Sequence, residues 1–94
     1  TGDNTMYAVI QKGFYLFGTG ATPEEAVKEA NQWLDHDDNV TLEELETYYE
    51  VANHGELVLI EASKKLHEKL VKEGGDILYE VERNKAYLSE ELES

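Results

Sequence analysis

The chain has 94 residues, and its 21 acidic and 8 basic residues give a formal net charge of −13. A surplus of negative charge this large repels nucleic acid and anionic membranes, so it argues against a protein that binds either one directly. The sequence contains no cysteine, which excludes disulfides and thiolate metal sites and favours a cytoplasmic protein, and it has no run approaching the roughly 20 apolar residues of a membrane helix.

Length and composition predict a single domain. We expect it to occupy residues 6–88, with an N-terminal tail at 1–5 and a frayed acidic tail at 89–94. Negative charge is concentrated between Glu29 and Ser63, a stretch that holds ten acidic residues and neither lysine nor arginine.

The first predicted elements are a hairpin and a helix. Apolar residues at 7–10 and 14–17 flank a polar turn, which is a hairpin pattern, and Gly18 and Gly20 are interpreted as breaking the sheet. Thr22 and Glu25 then stand at the ends of a capping box, with proline at the first helical position. The helix that follows is expected to bury one face, formed by Ala26, Val27, Ala30, Trp33 and Leu34.

The segment after the first helix has two interpretations. A second capping box at Thr41 and Glu44 and β-favouring residues at 47–51 predict a short helix at 41–46 and a strand at 47–52. The alternative is one long helix running from residue 41 to Asn53 or Gly55.

The last third of the chain repeats the alternation of strand and helix. The apolar run at 56–61 predicts a central strand, and Ser63 is positioned to cap a helix that buries Leu66 and Leu70 and ends at a glycine pair, Gly74 and Gly75. Alternation at 76–82 and a short run at 86–88 predict a final hairpin.

A spacing pattern suggests that these hairpins are related. Four residues near the N-terminus recur 42 positions later: Thr5, Tyr7, Val9 and Gly13 reappear as Thr47, Tyr49, Val51 and Gly55. We therefore predict an α+β fold ordered hairpin, helix, hairpin, helix, hairpin, with a mainly antiparallel sheet of five or six strands and two principal helices on one face. The predicted core is Val9, Phe14, Leu16, Val27, Ala30, Leu34, Val58, Ile60, Leu66, Leu70, Ile77 and Val81.

Residues 35–46 resemble an EF-hand calcium loop. Oxygen-bearing side chains occupy its ligand spacing, at Asp35, Asp37, Asn39, Thr41, Glu43 and Glu46. Val40, however, stands where that family uses glycine, and a β-branched residue there would strain the turn. We favour an acidic connection without metal or other cofactor, and we keep calcium binding as an alternative.

No arrangement in the sequence indicates catalysis. His36, His54 and His67 lack the spacing of a helical zinc site, and no serine and histidine pair is identifiable. Most of the tyrosines on predicted strands are interpreted as core or cross-strand partners, and the rest as a protein-binding surface, because the charge has the wrong sign for a surface that stacks nucleic acid bases.

Residues 7–34 resemble the start of HicB-type antitoxins. They share a strand, a short turn, an aromatic strand and a helix opened by the run from Gly20 to Ala26. The resemblance implies a small scaffold of sheet and helix that binds a basic toxin or nuclease, and it implies no catalytic residues.

The sequence therefore predicts a small non-enzymatic binding protein that presents carboxylates to a basic protein partner. The residues assigned to this surface are Asp35, Asp37, Asp38, Glu43, Glu44, Glu46 and Glu50. Besides the calcium module, the remaining alternative is a structural subunit that self-associates through a sheet edge or its tyrosines.

Overall fold

A computed structural model describes residues 5–34, 37, 39–73 and 77–90. It confirms the α+β class, with a mostly antiparallel sheet of five strands and two helices. The strands are β1 (Met6–Gln11), β2 (Leu16–Gly20), β3 (Leu57–Ala62), β4 (Tyr79–Glu82) and β5 (Lys85–Leu88), and the helices are α1 (Pro23–Trp33) and α2 (Lys64–Glu73). None of the helices in these ranges is long and apolar enough to cross a bilayer.

The sheet has the strand order β2-β1-β3-β5-β4. Every pairing is antiparallel except that of β3 with β5, which joins the two halves of the sheet through only two residue pairs. As the apolar run at 56–61 predicted, β3 is a central strand, and its Val58, Leu59 and Ile60 are all buried.

The two helices cover opposite faces of this sheet, whereas the sequence led us to expect both on one face. Because alternate strand residues point to opposite sides, Val9 and its partner Leu59 share one face, where they pack with Ala26, Val27 and Ala30 of α1. Ala8 and Ile60 share the other face, where they pack with Leu66 of α2. The central strands are therefore buried on both sides.

The glycines of β2 do not break the sheet, contrary to the prediction. Both lie within the strand, on the side covered by α1. A Cβ atom on Gly18 would lie 2.5 Å from the backbone nitrogen of Ala30, and one on Gly20 would lie 2.7 Å from that of Ala26. Glycine is needed here because the helix packs directly against the strand backbone.

The predicted capping box opens α1. The Thr22 hydroxyl accepts a hydrogen bond from the Glu25 amide at 3.2 Å, and the Glu25 carboxylate accepts one from the Ala21 amide at 3.0 Å. Ser63 caps α2 in the same way, accepting from the Leu66 amide at 3.1 Å. The glycines expected to end α2 lie outside the described residues.

Of the predictions for the segment after α1, the short helix at 41–46 is present only in part, and the strand at 47–52 and the alternative long helix are wrong. Leu42–Glu44 form one 3₁₀ turn, residues 47–52 form turns instead of a strand, and no long helix is present. The main chain of this segment is held by distant side chains: Asn84 bonds Thr47 and Tyr49, and Lys12 bonds two further carbonyls. These bonds replace the ladder that a strand would need, so the 42-residue spacing pattern does not mark a structural repeat.

The final hairpin is confirmed, with a tight turn at Arg83 and Asn84, whose φ angles are 53° and 61°. Two positive φ angles at a two-residue connection are typical of a type I′ turn. The prediction that Phe14 belongs to the core is wrong, because its side chain is half exposed. Leu34, Leu70 and Val81, also predicted to form the core, are only partly buried. Trp33 also lies on the surface, not on the buried face of α1.

Candidate functional site

Four of the seven predicted acidic residues are exposed. Asp37 follows α1, Glu43 and Glu44 lie on the 3₁₀ turn, and Glu50 lies in the turns before β3. Asp35 and Asp38 lie outside the described residues. The four exposed carboxylates, at Asp37, Glu43, Glu44 and Glu50, are called the acidic surface below.

Glu46 differs from the others because its carboxylate is already bound. It accepts hydrogen bonds from the amides of Thr47 at 2.8 Å and Tyr48 at 3.2 Å. Its main chain also forms a bridge to β3, through bonds with Leu57 and Leu59. Glu46 therefore anchors one end of residues 40–46, called the acidic segment below, to the sheet.

The other end of this segment is held by α1. The side-chain amide of Asn31 donates to the Val40 carbonyl at 2.9 Å, and its oxygen accepts from the Val40 amide at 3.0 Å. Glu43 and Glu44 thus project from a short stretch of chain that is fixed on both sides.

The EF-hand alternative lacks its second helix. The family places its last ligand at the start of a helix, whereas Glu46 follows a single 3₁₀ turn and is bridged to Val58. Among the described residues, no three acidic or histidine side chains are grouped to hold a metal ion. Asp35 and two neighbouring positions, 36 and 38, lie outside those residues.

Ion pairing leaves the acidic surface unneutralised. Across residues 5–34, 37, 39–73 and 77–90, the one salt bridge joins Lys69 to Glu73 within α2, with 2.5 Å between the ammonium nitrogen and the carboxylate oxygen. The hydrogen bond to Glu73 raises the pKa of Lys69. No lysine or arginine in this part of the chain pairs with the acidic surface.

The structure brings together Thr19 and His67, a pair that the sequence did not indicate. The hydroxyl of Thr19 lies 2.7 Å from Nδ1 of His67 although the two residues are 48 positions apart. They lie at a groove of about 540 Å³ between α1, β2 and α2, where Trp33 and Val71 are exposed. Thr19 is only 3% exposed, and its bond to His67 holds α2 against the sheet edge.

A second depression, of about 260 Å³, lies between the first hairpin turn and β4. Phe14, Tyr15 and Leu78 line it and are largely exposed, and Tyr49 and Tyr79 are half-buried beside them. The Tyr79 hydroxyl donates to the Phe14 carbonyl at 3.0 Å. Burial, with a smaller contribution from Tyr49, raises the pKa of Tyr79 to about 12.

Of the histidines, His54 lies in the turn before β3, where its ring packs against Phe14 with 5.0 Å between centroids. His36 lies outside the described residues. The exposed aromatic residues lie at three places: Phe14 and Tyr15 at the second depression, Trp33 at the groove between α1 and α2, and Tyr48 before β3.

No protein-family model matches this chain, and no curated protein or solved structure matches it significantly.

Proposed function

We propose that this protein is a non-catalytic binding protein, in the manner of an antitoxin or nuclease inhibitor, that presents the acidic surface to a basic protein partner. One observation carries the proposal: the four carboxylates are exposed, and none is paired with a cation in the described part of the chain. Carboxylates left without a counter-charge create a negative potential that attracts a cationic partner and speeds association.

The anchoring of the acidic segment supports the same proposal. Asn31 holds Val40, and Glu46 holds the opposite end against β3. A surface that is ordered before binding loses less conformational entropy when the complex forms.

The composition and the resemblance to antitoxins suggest the setting. A chain without cysteine is suited to the reducing cytoplasm, where toxins and nucleases that act on nucleic acid present basic surfaces. The net charge of −13 makes direct nucleic-acid binding unfavourable.

The test begins with a pull-down from host lysate at low and high salt, and the recovered basic protein is then used in stopped-flow binding. In the acidic-surface variant, Asp37→Asn is combined with Glu43→Gln, Glu44→Gln and Glu50→Gln. We expect association to slow by about tenfold at low salt and its salt dependence to flatten, because steering depends on local charge.

The matched control removes the same charge from four exposed positions elsewhere: Glu24→Gln, Glu61→Gln, Glu68→Gln and Glu82→Gln. We expect a much smaller change in association rate. Equal slowing by both variants would show that only net charge matters, and no slowing by either would mean that the carboxylates serve solubility alone.

A further inference from the structure

Three large, mostly apolar side chains are exposed together around one depression. Phe14, Tyr15 and Leu78 are 49%, 61% and 79% exposed, and all line the depression of about 260 Å³ beside β4. We call these three residues the aromatic patch. Exposed apolar side chains gathered at one site are typical of an interaction surface.

The backbone beneath the aromatic patch is fixed by hydrogen bonds. The Tyr79 hydroxyl bonds the Phe14 carbonyl. The Lys12 ammonium donates to the carbonyls of Glu50 at 3.3 Å and Ala52 at 2.9 Å, and it lies 5.0 Å from the centre of the Tyr49 ring. The patch is therefore positioned before any partner arrives, which lowers the entropic cost of docking.

Among the residues that line the depression at the aromatic patch, the charged one is Glu80. Glu50 lines a separate depression with Tyr48 and Val51, residues that flank Tyr49 in the sequence. In the described part of the chain neither carboxylate has an ion pair. Two cations lie near Glu50: Arg83 lines the same depression, and the Lys12 ammonium donates to the Glu50 and Ala52 carbonyls. The negative excess that favours a cationic occupant is therefore that of Glu80 and of the whole chain, whose net charge is −13.

We infer that the aromatic patch is the apolar anchor of the partner-binding surface and that its occupant is an amphipathic basic segment of the partner. An apolar side chain of that segment enters the depression, and its lysine or arginine side chains face Glu50 and Glu80. This inference rests on the proposed function. Protein interfaces commonly combine an apolar centre, which supplies most of the affinity, with a polar rim.

The net charge argues against a second copy of this chain as the occupant. Each copy carries a charge of −13, so two copies repel one another. A cationic segment is instead attracted by the carboxylates of Glu50 and Glu80 and by the net charge of the whole chain.

Three synthetic ten-residue peptides test the inference by calorimetry and by NMR shift mapping at low salt. One contains arginine and leucine, the second arginine and serine, and the third glutamate and leucine. We expect the arginine–leucine peptide to bind about tenfold more tightly than the arginine–serine peptide, because only it fills the depression. We expect no binding of the glutamate–leucine peptide, and we expect shifts at Tyr15 and Leu78.

The test variant combines Tyr15→Ser with Leu78→Ser, and the control combines Trp33→Ser with Val71→Ser, which are similarly exposed at the other groove. The test variant should lose about tenfold in affinity for the arginine–leucine peptide, and the control should lose none. Both sites are on the surface, so both variants should fold, as circular dichroism will verify.

If the two arginine peptides bound with equal affinity, and the test variant bound them equally well, the aromatic patch would not be an anchor. The proposed role of the acidic surface would then remain. Failure of both arginine peptides to bind would overturn the proposed function together with the anchor. Tight binding of the glutamate–leucine peptide would overturn the basic character of the occupant. If sedimentation showed that the wild type is a dimer and the test variant a monomer, the occupant of the depression would be a second copy of this chain, and the inference of a basic segment would be overturned.

Discussion

Gly18 sets the distance between α1 and the sheet. Its missing side chain leaves room for helix backbone atoms, and those atoms cannot rotate away as a side chain would. The sequence does not reveal which helix packs against this glycine. A glycine at this position is therefore consistent either with the end of a strand or with a helix packed closely against the strand backbone. The capping box, by contrast, was predictable because all its atoms come from neighbouring residues.

Gly18→Ala should therefore destabilise the fold. A Cβ atom 2.5 Å from the Ala30 nitrogen and 2.9 Å from the Ala26 carbonyl oxygen forces the helix outward, and we expect the free energy of unfolding to fall by about 3 kcal/mol in urea denaturation. The comparison is Gly55→Ala, where φ is +92° but the nearest atom to the new Cβ is 3.9 Å away. That change should cost about 1 kcal/mol of backbone strain, and equal losses would contradict the packing argument.

Tyr79 should make stability depend on alkaline pH. Its pKa is raised to about 12 in the fold and is about 10 in an unfolded chain, so the unfolded state releases the proton first. The contribution of Tyr79 is fully present below pH 10 and is lost as the pH rises from about 10 to about 12. In this window Tyr79→Phe should lose less stability than the wild type, as urea midpoints at each pH will show. Tyr15→Phe, at an exposed position, should follow the wild type.

At the level of elements, sequence patterns predict the helices and strands whose hydrogen bonds join residues near one another in the chain. The first hairpin, the capped helix, β3 and the final hairpin followed from alternation, capping and turn residues. Residues 47–56 did not, because their main-chain groups bond to Asn84 and Lys12, which lie at least 35 positions away in sequence. For the same reason the sequence did not indicate the bond between Thr19 and His67.

Asn84 should prove essential to the loop before β3. Asn84→Gly keeps a residue that tolerates the φ angle of 61° but removes both bonds to the loop. We expect a loss of about 1–2 kcal/mol and faster hydrogen exchange at the Tyr49 amide. Arg83→Gly in the same turn removes neither bond and relieves a φ of 53°, so it should leave exchange unchanged. Similar exchange in both variants would mean that the side chain does not hold the loop.

For the molecule as a whole, part of the candidate site was predictable and part was not. The exposure of the four carboxylates of the acidic surface was predictable because carboxylates in a charged, apolar-poor segment remain in water. The aromatic patch did not, because it forms where Leu78, before β4, meets the first hairpin turn more than 60 residues earlier in the chain. Nothing local distinguishes Phe14 from a core residue.

The net charge of −13 should make the whole fold sensitive to salt. Raising sodium chloride from about 10 mM to about 150 mM shortens the Debye length from about 30 Å to about 8 Å. The weaker self-repulsion should raise the melting temperature by several degrees. The acidic-surface variant, with four fewer charges, should show a smaller rise, and a melting temperature independent of salt in both proteins would contradict this expectation.

The pairing of β1 with β3 has a consequence for how the chain is made. Val9 and Leu59 meet at the centre of the sheet although they are 50 positions apart in the sequence, and β3 supplies side chains to the clusters on both faces. During synthesis, β1, β2 and α1 leave the ribosome before the strand that completes their cores. Contacts this distant in sequence slow folding because a long loop must close first. The native state is therefore reached only after β3 has emerged, and a nascent chain that ends before Leu57 lacks the strand on which both halves of the core depend.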